Sequence, residues 1–319
     1  MHLHPILRAF GGYKTPNRYF CTTERNCWLR LRKQPLGTSA TPARPPRLTI
    51  LLYIIARTRI YNIVYARKIT VRTHTANVIM KSRAIVLHIT KYNDEQLIAD
   101  LLTENQGNLG MIVRISRSKR TAVRHTLFQP LAILDLEWEH RPKANLQRPK
   151  AVQVAWPLCS LPTDPYKLSI AMFVAEVLHH AIKQEPDSRT IFNYVLRSVQ
   201  WLDVCQSGFA NFHLVFLLRL THFLGFMPNV EDAREGDYFD LRASCFTAQQ
   251  PSHADFLAPR DAALVPKLMR MRYDTMRFFH FNGAERSRLL EYVNLYYRLH
   301  VPNFPELKSL AVLKDLFAH

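Results

Sequence analysis

Residues 80–107 read MKSRAIVLHITKYNDEQLIADLLTENQG, and the fold follows from how this stretch alternates. Ile85, Leu87 and Ile89 alternate with Val86 and His88, the period of a strand whose side chains point to opposite faces in turn. A second run, Gln96 to Leu102, ends in the turn-like Glu104-Asn105-Gln106-Gly107-Asn108. Further out, Leu109 to Ile115 puts Met111, Val113 and Ile115 on one face. Leu131 to Trp138 sets Leu134, Leu136 and Trp138 on one side, with Asp135 and Glu137 on the other, and Ala151 to Trp156 makes a fifth strand. Five short strands between residues 80 and 156 suit a small barrel, most often the five-stranded oligonucleotide/oligosaccharide-binding (OB) fold. The periodicity fits an SH3-like barrel equally well.

After Pro162 the period becomes helical. Thr163 or Asp164 can cap, Pro165 suits a first turn, and Ile170, Phe173, Val174, Val177, Leu178 and Ala181 form an apolar face. Further helices are expected over Arg189–Val204, Asn211–Phe223, Ala262–Phe279, Ala284–Leu299 and Glu306–Phe317, with a poorly patterned segment at 229–260. The expected class is α+β and multidomain: an OB-fold barrel over 80–160 followed by an α-helical domain over 161–319.

Residues 1–79 differ from the rest. They hold 14 Lys or Arg against one acid, Glu24, whereas residues 80–319 hold 29 basic and 24 acidic residues, so most of the net charge of +18 sits in the first quarter. Arg-rich, acid-poor sequence without a period reads as a targeting or nucleic-acid-binding arm. The better reading is a disordered extension, or upstream sequence translated from an early start codon, Met80 being a natural alternative start. The five cysteines (Cys21, Cys27, Cys159, Cys205 and Cys245) are odd in number and scattered, which points to a reducing compartment rather than a disulfide framework. The longest apolar run, LTILLYIIA at 48–56, is too short to span a bilayer and lacks the features of a secretory signal.

The sequence holds no phosphate-cradling GxxxxGK[ST] or GxGxxG loop, no HExxH, no CxxC and no GxSxG. His179 and His180 are neighbours on a helix and face different ways, so they do not jointly grip a metal. The acidic Glu231, Asp232, Glu235, Asp237 and Asp240 match no calcium loop and read as a solvated segment, the alternative being a metal-dependent nuclease centre. No catalytic residue, cofactor or metal site is expected.

The basic residues of the barrel carry the sharper signal. Arg114, Arg117, Lys119, Arg120 and Arg124 crowd a stretch free of acids, and Arg141, Lys143, Arg148 and Lys150 precede the last strand. Barrel loops are where OB folds track a nucleic-acid backbone. Phe128, Trp138 and Trp156 offer stacking surfaces, although Trp138 lies on the face assigned to the core. The same charges also fit a solvated face, in which case the chain is an interaction scaffold that never touches DNA.

Residues 80–107 resemble the opening of RecO proteins, in which a basic lead, a GIVL-like strand, a Tyr-containing turn and a second strand ending in T…G recur; Ala84 stands where that family often has Gly. FLGFMPNVEDAREGDYFDLR at 223–242 and YYRLHVPNFPELKSLAVLKDLF at 296–317 resemble the helical part of RecO from the Bacteroides group. The resemblance implies an OB fold followed by helices, and a non-enzymatic mediator of recombinational repair in the RecF pathway. It implies binding and annealing of single- and double-stranded DNA, partnership with RecR and with the C-terminal tail of single-strand-binding protein, and assistance to RecA loading. It also implies a bacterial cytoplasmic, nucleoid-associated location without membrane contact, and an apolar groove in the helical domain for a partner's tail. Many RecO proteins carry a four-cysteine zinc site. Here the corresponding 229–255 offers only Cys245 and His253, so zinc is not expected there, and Tyr238, Phe239 and Leu241 are expected to anchor the loop.

Overall fold

A computed structural model describes residues 78–115, 125–182 and 188–318. Five strands open the fold: β1 (Ile79–Lys91), β2 (Gln96–Thr103), β3 (Gly107–Arg114), β4 (Ile133–Glu139) and β5 (Pro149–Trp156). They form one antiparallel sheet in the order β3-β2-β1-β4-β5. The OB-like arrangement matches the expectation, but the sheet is an open ladder rather than a closed barrel. β3 meets the residues just ahead of β5 at one isolated parallel bridge, Met111 to Gln147. The reason is local: Pro149 opens β5 and has no N–H with which to extend the pairing.

β1 is the central strand and is buried on both faces. Ala84 and Val86 point into the sheet's own core with Leu97, Leu101, Met111, Val113, Leu134, Leu136 and Trp138. Ile85 and Leu87 point the other way, into a core shared with the helices. The expected alternation fails at one place. A bulge between Val86 and His88 leaves Leu87 without a partner on β2, so Ile89 packs in the sheet's own core instead of beside Leu87.

The helices are α1 (Pro165–Ala181), α2 (Ser188–Val204), α3 (Phe212–Phe223), α4 (Pro259–Ala262), α5 (Val265–Arg270), α6 (Gly283–His300) and α7 (Lys308–Ala318). Asp164 caps α1, its carboxylate accepting the N–H groups of Tyr166 and Lys167 at 2.8 and 3.2 Å, with Pro165 in the first turn. All six residues of the predicted apolar face of α1 are buried. α6 starts in a capping box between Asn282 and Glu285.

The single helix expected over 262–279 is instead α4, α5 and a 3-10 turn at Met276–Phe278. Pro266 cannot donate back to the preceding turn, so α5 begins afresh there. Residues 229–260 are also more ordered than their pattern suggests. Strands β6 (Tyr238–Asp240), β7 (Cys245–Thr247) and β8 (Phe256–Leu257) make a small sheet in the order β7-β6-β8. Phe239 and Leu241 are its buried anchors, as expected, and Tyr238 is half-buried against Phe256. Among the described residues no helix is long and apolar enough to cross a membrane.

Candidate nucleic-acid interface

The connection between β4 and β5 is a built loop, not a slack one. Gln147 is buried, and its side chain closes the loop on itself: Oε1 accepts the Arg141 N–H at 2.9 Å, while Nε2 donates to the carbonyls of Arg141 and Ala144 at 2.9 and 3.0 Å. Its backbone stitches the loop to β3, donating to the Gly110 carbonyl and accepting from the Ile112 N–H, both at 2.9 Å. Gly110 keeps this contact close: a Cβ there would lie 2.8 Å from Leu146 Cδ2 and push that side chain aside.

On this pedestal Arg141, Lys143, Arg148 and Lys150 are all exposed. None of the four has an ion-pair partner among the described residues. The other cations of the sheet contrast with them. Arg83 makes a two-pronged contact with Glu104 at 3.0 and 3.2 Å, Lys81 meets Glu137 at 3.0 Å, Lys91 meets Asp94 at 2.7 Å, and Arg114 meets Glu95 at 2.9 Å. The hydrogen bonds from Arg83 hold the Glu104 carboxyl below its usual range despite the opposing effect of burial. Three residues beyond the Met111–Gln147 bridge on each side stand Arg114 and Lys150, so Arg114 flanks the same seam. Arg114 is highly exposed, and an exposed pair of this kind contributes little and exchanges readily for another anion. Arg117, Lys119, Arg120 and Arg124 lie outside the described residues.

Of the three candidate stacking residues, Phe128 and Trp138 are buried in the sheet core and have no face to offer. Trp156, at the end of β5, is 40% exposed. The turn between β1 and β2 adds Tyr92, 62% exposed, which sequence reasoning passed over because an isolated Tyr in a turn has no periodic signal. Gln147 was missed for a related reason: its partners lie across a loop and across the seam.

The acidic segment is occupied by its own backbone. Asp240 Oδ1 accepts the N–H groups of Arg242 and Ala243 at 2.8 and 3.0 Å, and Asp237 accepts that of Arg234 at 3.2 Å. Glu231, Asp232 and Glu235 are exposed, and among the described residues the five carboxylates do not gather into a metal-binding group. His253 Nε2 lies 3.2 Å from Asp240 Oδ2, and Cys245 is a half-buried free thiol on β7. This lobe is fastened by Tyr296, whose Oη is 2.6 Å from both the Phe226 carbonyl and Ser244 Oγ, and by His300 Nε2, 2.8 Å from the Leu241 carbonyl.

Two family models match the chain from residue 78 to residue 311, one after the other. Residues 78–157 match the recombination protein O N-terminal model and residues 162–311 the C-terminal model. The chain is 47% identical over 240 residues to the DNA repair protein RecO of Phocaeicola vulgatus, covering 75% of this chain and 100% of that protein. It is likewise 47% identical over 240 residues to the RecO of Bacteroides fragilis, and 34% identical over 241 residues to that of Flavobacterium psychrophilum; each match covers 75% of this chain and 99% of the relative.

Proposed function

The chain belongs to the recombination protein O family, and from that premise we propose that it is a DNA repair mediator that holds single-stranded DNA along the β3–β5 seam. The observation that carries this reading is the segregation of charge. The sheet's other cations face carboxylates, while Arg141, Lys143, Arg148 and Lys150 are held out from a hydrogen-bonded loop without partners among the described residues. Cations so presented neutralise phosphates and release counterions, which makes binding strong at low salt and blind to sequence. Arg114 at the seam, together with Arg117, Lys119, Arg120 and Arg124 in the segment that follows it, extends the path. Trp156 and Tyr92 supply flat faces on which bases stack.

In this reading the protein binds both single- and double-stranded DNA and anneals complementary strands. It acts without catalysis of its own, in the bacterial cytoplasm on the nucleoid. It partners RecR, takes the C-terminal tail of single-strand-binding protein on its helical part, and so assists RecA loading. Supporting a non-enzymatic role, the carboxylates that a nuclease would need are engaged in turns or dispersed on the surface. Residues 80–160 act as the DNA-binding domain and residues 161–319 as the partner-binding domain.

The test is fluorescence anisotropy of a labelled single strand across a salt series, comparing the full chain with a variant carrying Gln at 141, 143, 148 and 150. Every phosphate of a single strand that is left without its cation lowers the slope of log K against log salt by about 0.7, so removing four cations flattens it by about 3. Any contribution from residues 1–79 is common to both proteins and cancels in the difference. An unchanged slope moves the DNA site elsewhere, and an absence of binding by the full chain removes the DNA-binding reading.

A further inference from the structure

Where the sheet meets α1, three side chains that sequence spacing keeps apart come together. His88 on β1 lies directly across from Asp100 on β2, and His179 stands in the last turn of α1. The bulge at Leu87 makes this possible. In a regular strand His88 would share the face of Val86 and enter the sheet's own core; the extra residue turns it toward α1. Bulges re-aim side chains in this way beside functional sites.

His88 Nδ1 and His179 Nδ1 stand 3.9 and 3.6 Å from the same oxygen, Asp100 Oδ2. One donor atom from each of the three residues lies within 4.8 Å of the other two. Those separations are too long for hydrogen bonds, and His179 Nδ1 is buried with no hydrogen-bond partner. The two imidazole rings stack with centroids 4.6 Å apart and planes at 25°.

Two imidazole nitrogens and one carboxylate oxygen are a donor set for a divalent transition ion. Metal–ligand bonds of about 2.0–2.1 Å arranged tetrahedrally put neighbouring ligand atoms roughly 3.3 Å apart. The observed 3.6 and 3.9 Å exceed that by about 0.3 and 0.6 Å, and closing on an ion requires the stacked rings to turn so that both lone pairs meet at one point. Beside the cluster opens a cavity lined by Asp100, Asn108, Leu109, Gly110, His179 and His180, wide enough for a fourth, water ligand. Asn108 Oδ1, buried and without a hydrogen-bond partner, is an acceptor for that water. The C-terminal end of α1 adds a favourable dipole for a cation.

The geometry points to a divalent metal site of the zinc class formed by His88, Asp100 and His179, with an open fourth position. Such a site ties β1 and β2 to α1, and so fastens the sheet that carries the basic loop to the helices behind it. It is independent of the DNA-binding reading.

The experiment is titration of the metal-free full chain with zinc in competition with a chromophoric chelator, alongside cobalt(II) absorption and thermal unfolding. Residues 1–79 offer cysteine and histidine ligands of their own, so single substitutions decide the matter. The site predicts one equivalent whose affinity falls at least tenfold in both His88→Gln and His179→Gln. It also predicts a cobalt spectrum free of a thiolate charge-transfer band, and a zinc-dependent rise in Tm that is lost in His88→Gln. His88 is 47% exposed, so His88→Gln keeps the fold even if His179→Gln does not. Zinc affinity and Tm response unchanged by His88→Gln would overturn the assignment, as would a thiolate-type cobalt spectrum that survives both substitutions.

Discussion

The Gln147 side chain and the Arg141 backbone close a ring, with Oε1 accepting the Arg141 N–H and Nε2 donating to its carbonyl, each at 2.9 Å. This amide does inside the loop what a strand partner does in a sheet, and it lets four cations stand outward without a carboxylate to steady them. Gln147→Ala removes three side-chain hydrogen bonds at a buried position, which costs about 2–3 kcal/mol in denaturant unfolding. All the charges remain. Affinity for a single strand should therefore drop severalfold while the salt slope barely moves, the opposite signature to that of removing the cations.

The linker from β5 into α1 is organised by Asp203 at the end of α2. Its carboxylate accepts the N–H groups of Cys159, Ser160 and Leu161 at 2.7–3.0 Å, and Lys167, itself buried, donates to the Asp203 carbonyl at 3.2 Å and to Ser160 Oγ at 2.6 Å. Hydrogen bonds to a charged acceptor are the stronger kind, and the three donors would be left without a partner. Asp203→Ala is expected to destabilise by about 3 kcal/mol, with Asp203→Asn intermediate because one carbonyl oxygen persists. Equal losses for the two variants would mean that shape, not hydrogen bonding, sets the cost.

The sequence made the strands and α1 legible because each keeps its period over several residues and ends in recognisable punctuation, such as Asp164-Pro165 and the turn before Gly107. The bulge at Leu87 was not legible, since one extra residue leaves no mark in a run of apolar residues, and it reversed the placement of Ile89. β6, β7 and β8 are two or three residues long, too short for a period to show. Of the candidate DNA contacts, Arg141, Lys143, Arg148 and Lys150 were legible as exposed loop cations, because charge is a local property. What holds them, and what gathers His88, Asp100 and His179, depends on pairings between distant elements, which one sequence does not display.

Glu176 on α1 caps the last helix from outside its own chain segment. Its carboxylate accepts the N–H groups of Lys308 and Ser309 at 3.0 and 2.9 Å and also takes the Ser309 hydroxyl. Burial raises its pKa, but the Ser309 and Lys308 hydrogen bonds outweigh that and leave the carboxyl below its ordinary value. A carboxyl depressed on folding stabilises the protein above its unfolded pKa, and that contribution is lost as pH falls through the folded value. Glu176→Gln should cost about 1–2 kcal/mol at neutral pH, and hydrogen exchange should quicken in α7 ahead of α2 and α3. Uniform acceleration across all the helices would deny Glu176 a local capping role.

His213 governs a different pH window. It lies in the main core between Phe173 and Phe317, with ring centroids 6.4 and 5.7 Å away, and neither ring nitrogen has a hydrogen-bond partner among the described residues. Burial, and then the charge of Arg286, push its pKa down to about 3. The unfolded chain takes up this proton near pH 6.5, while the folded chain refuses it until about pH 3. Falling pH across that window therefore favours the unfolded state. The folded protein has its full stability above pH 6.5 and loses it with a limiting slope of about 1.4 kcal/mol per pH unit. Substitution His213→Leu removes both the titration and two unpaired buried nitrogens. Denaturant unfolding should find it at least as stable as the parent at about pH 7.5, within about 1 kcal/mol, and visibly flatter between about pH 6 and pH 4.5. The two curves should keep separating until about pH 3, where the folded parent also takes up the proton, and run parallel only below it. A variant that keeps the parent's slope across that same interval would assign the proton to another group.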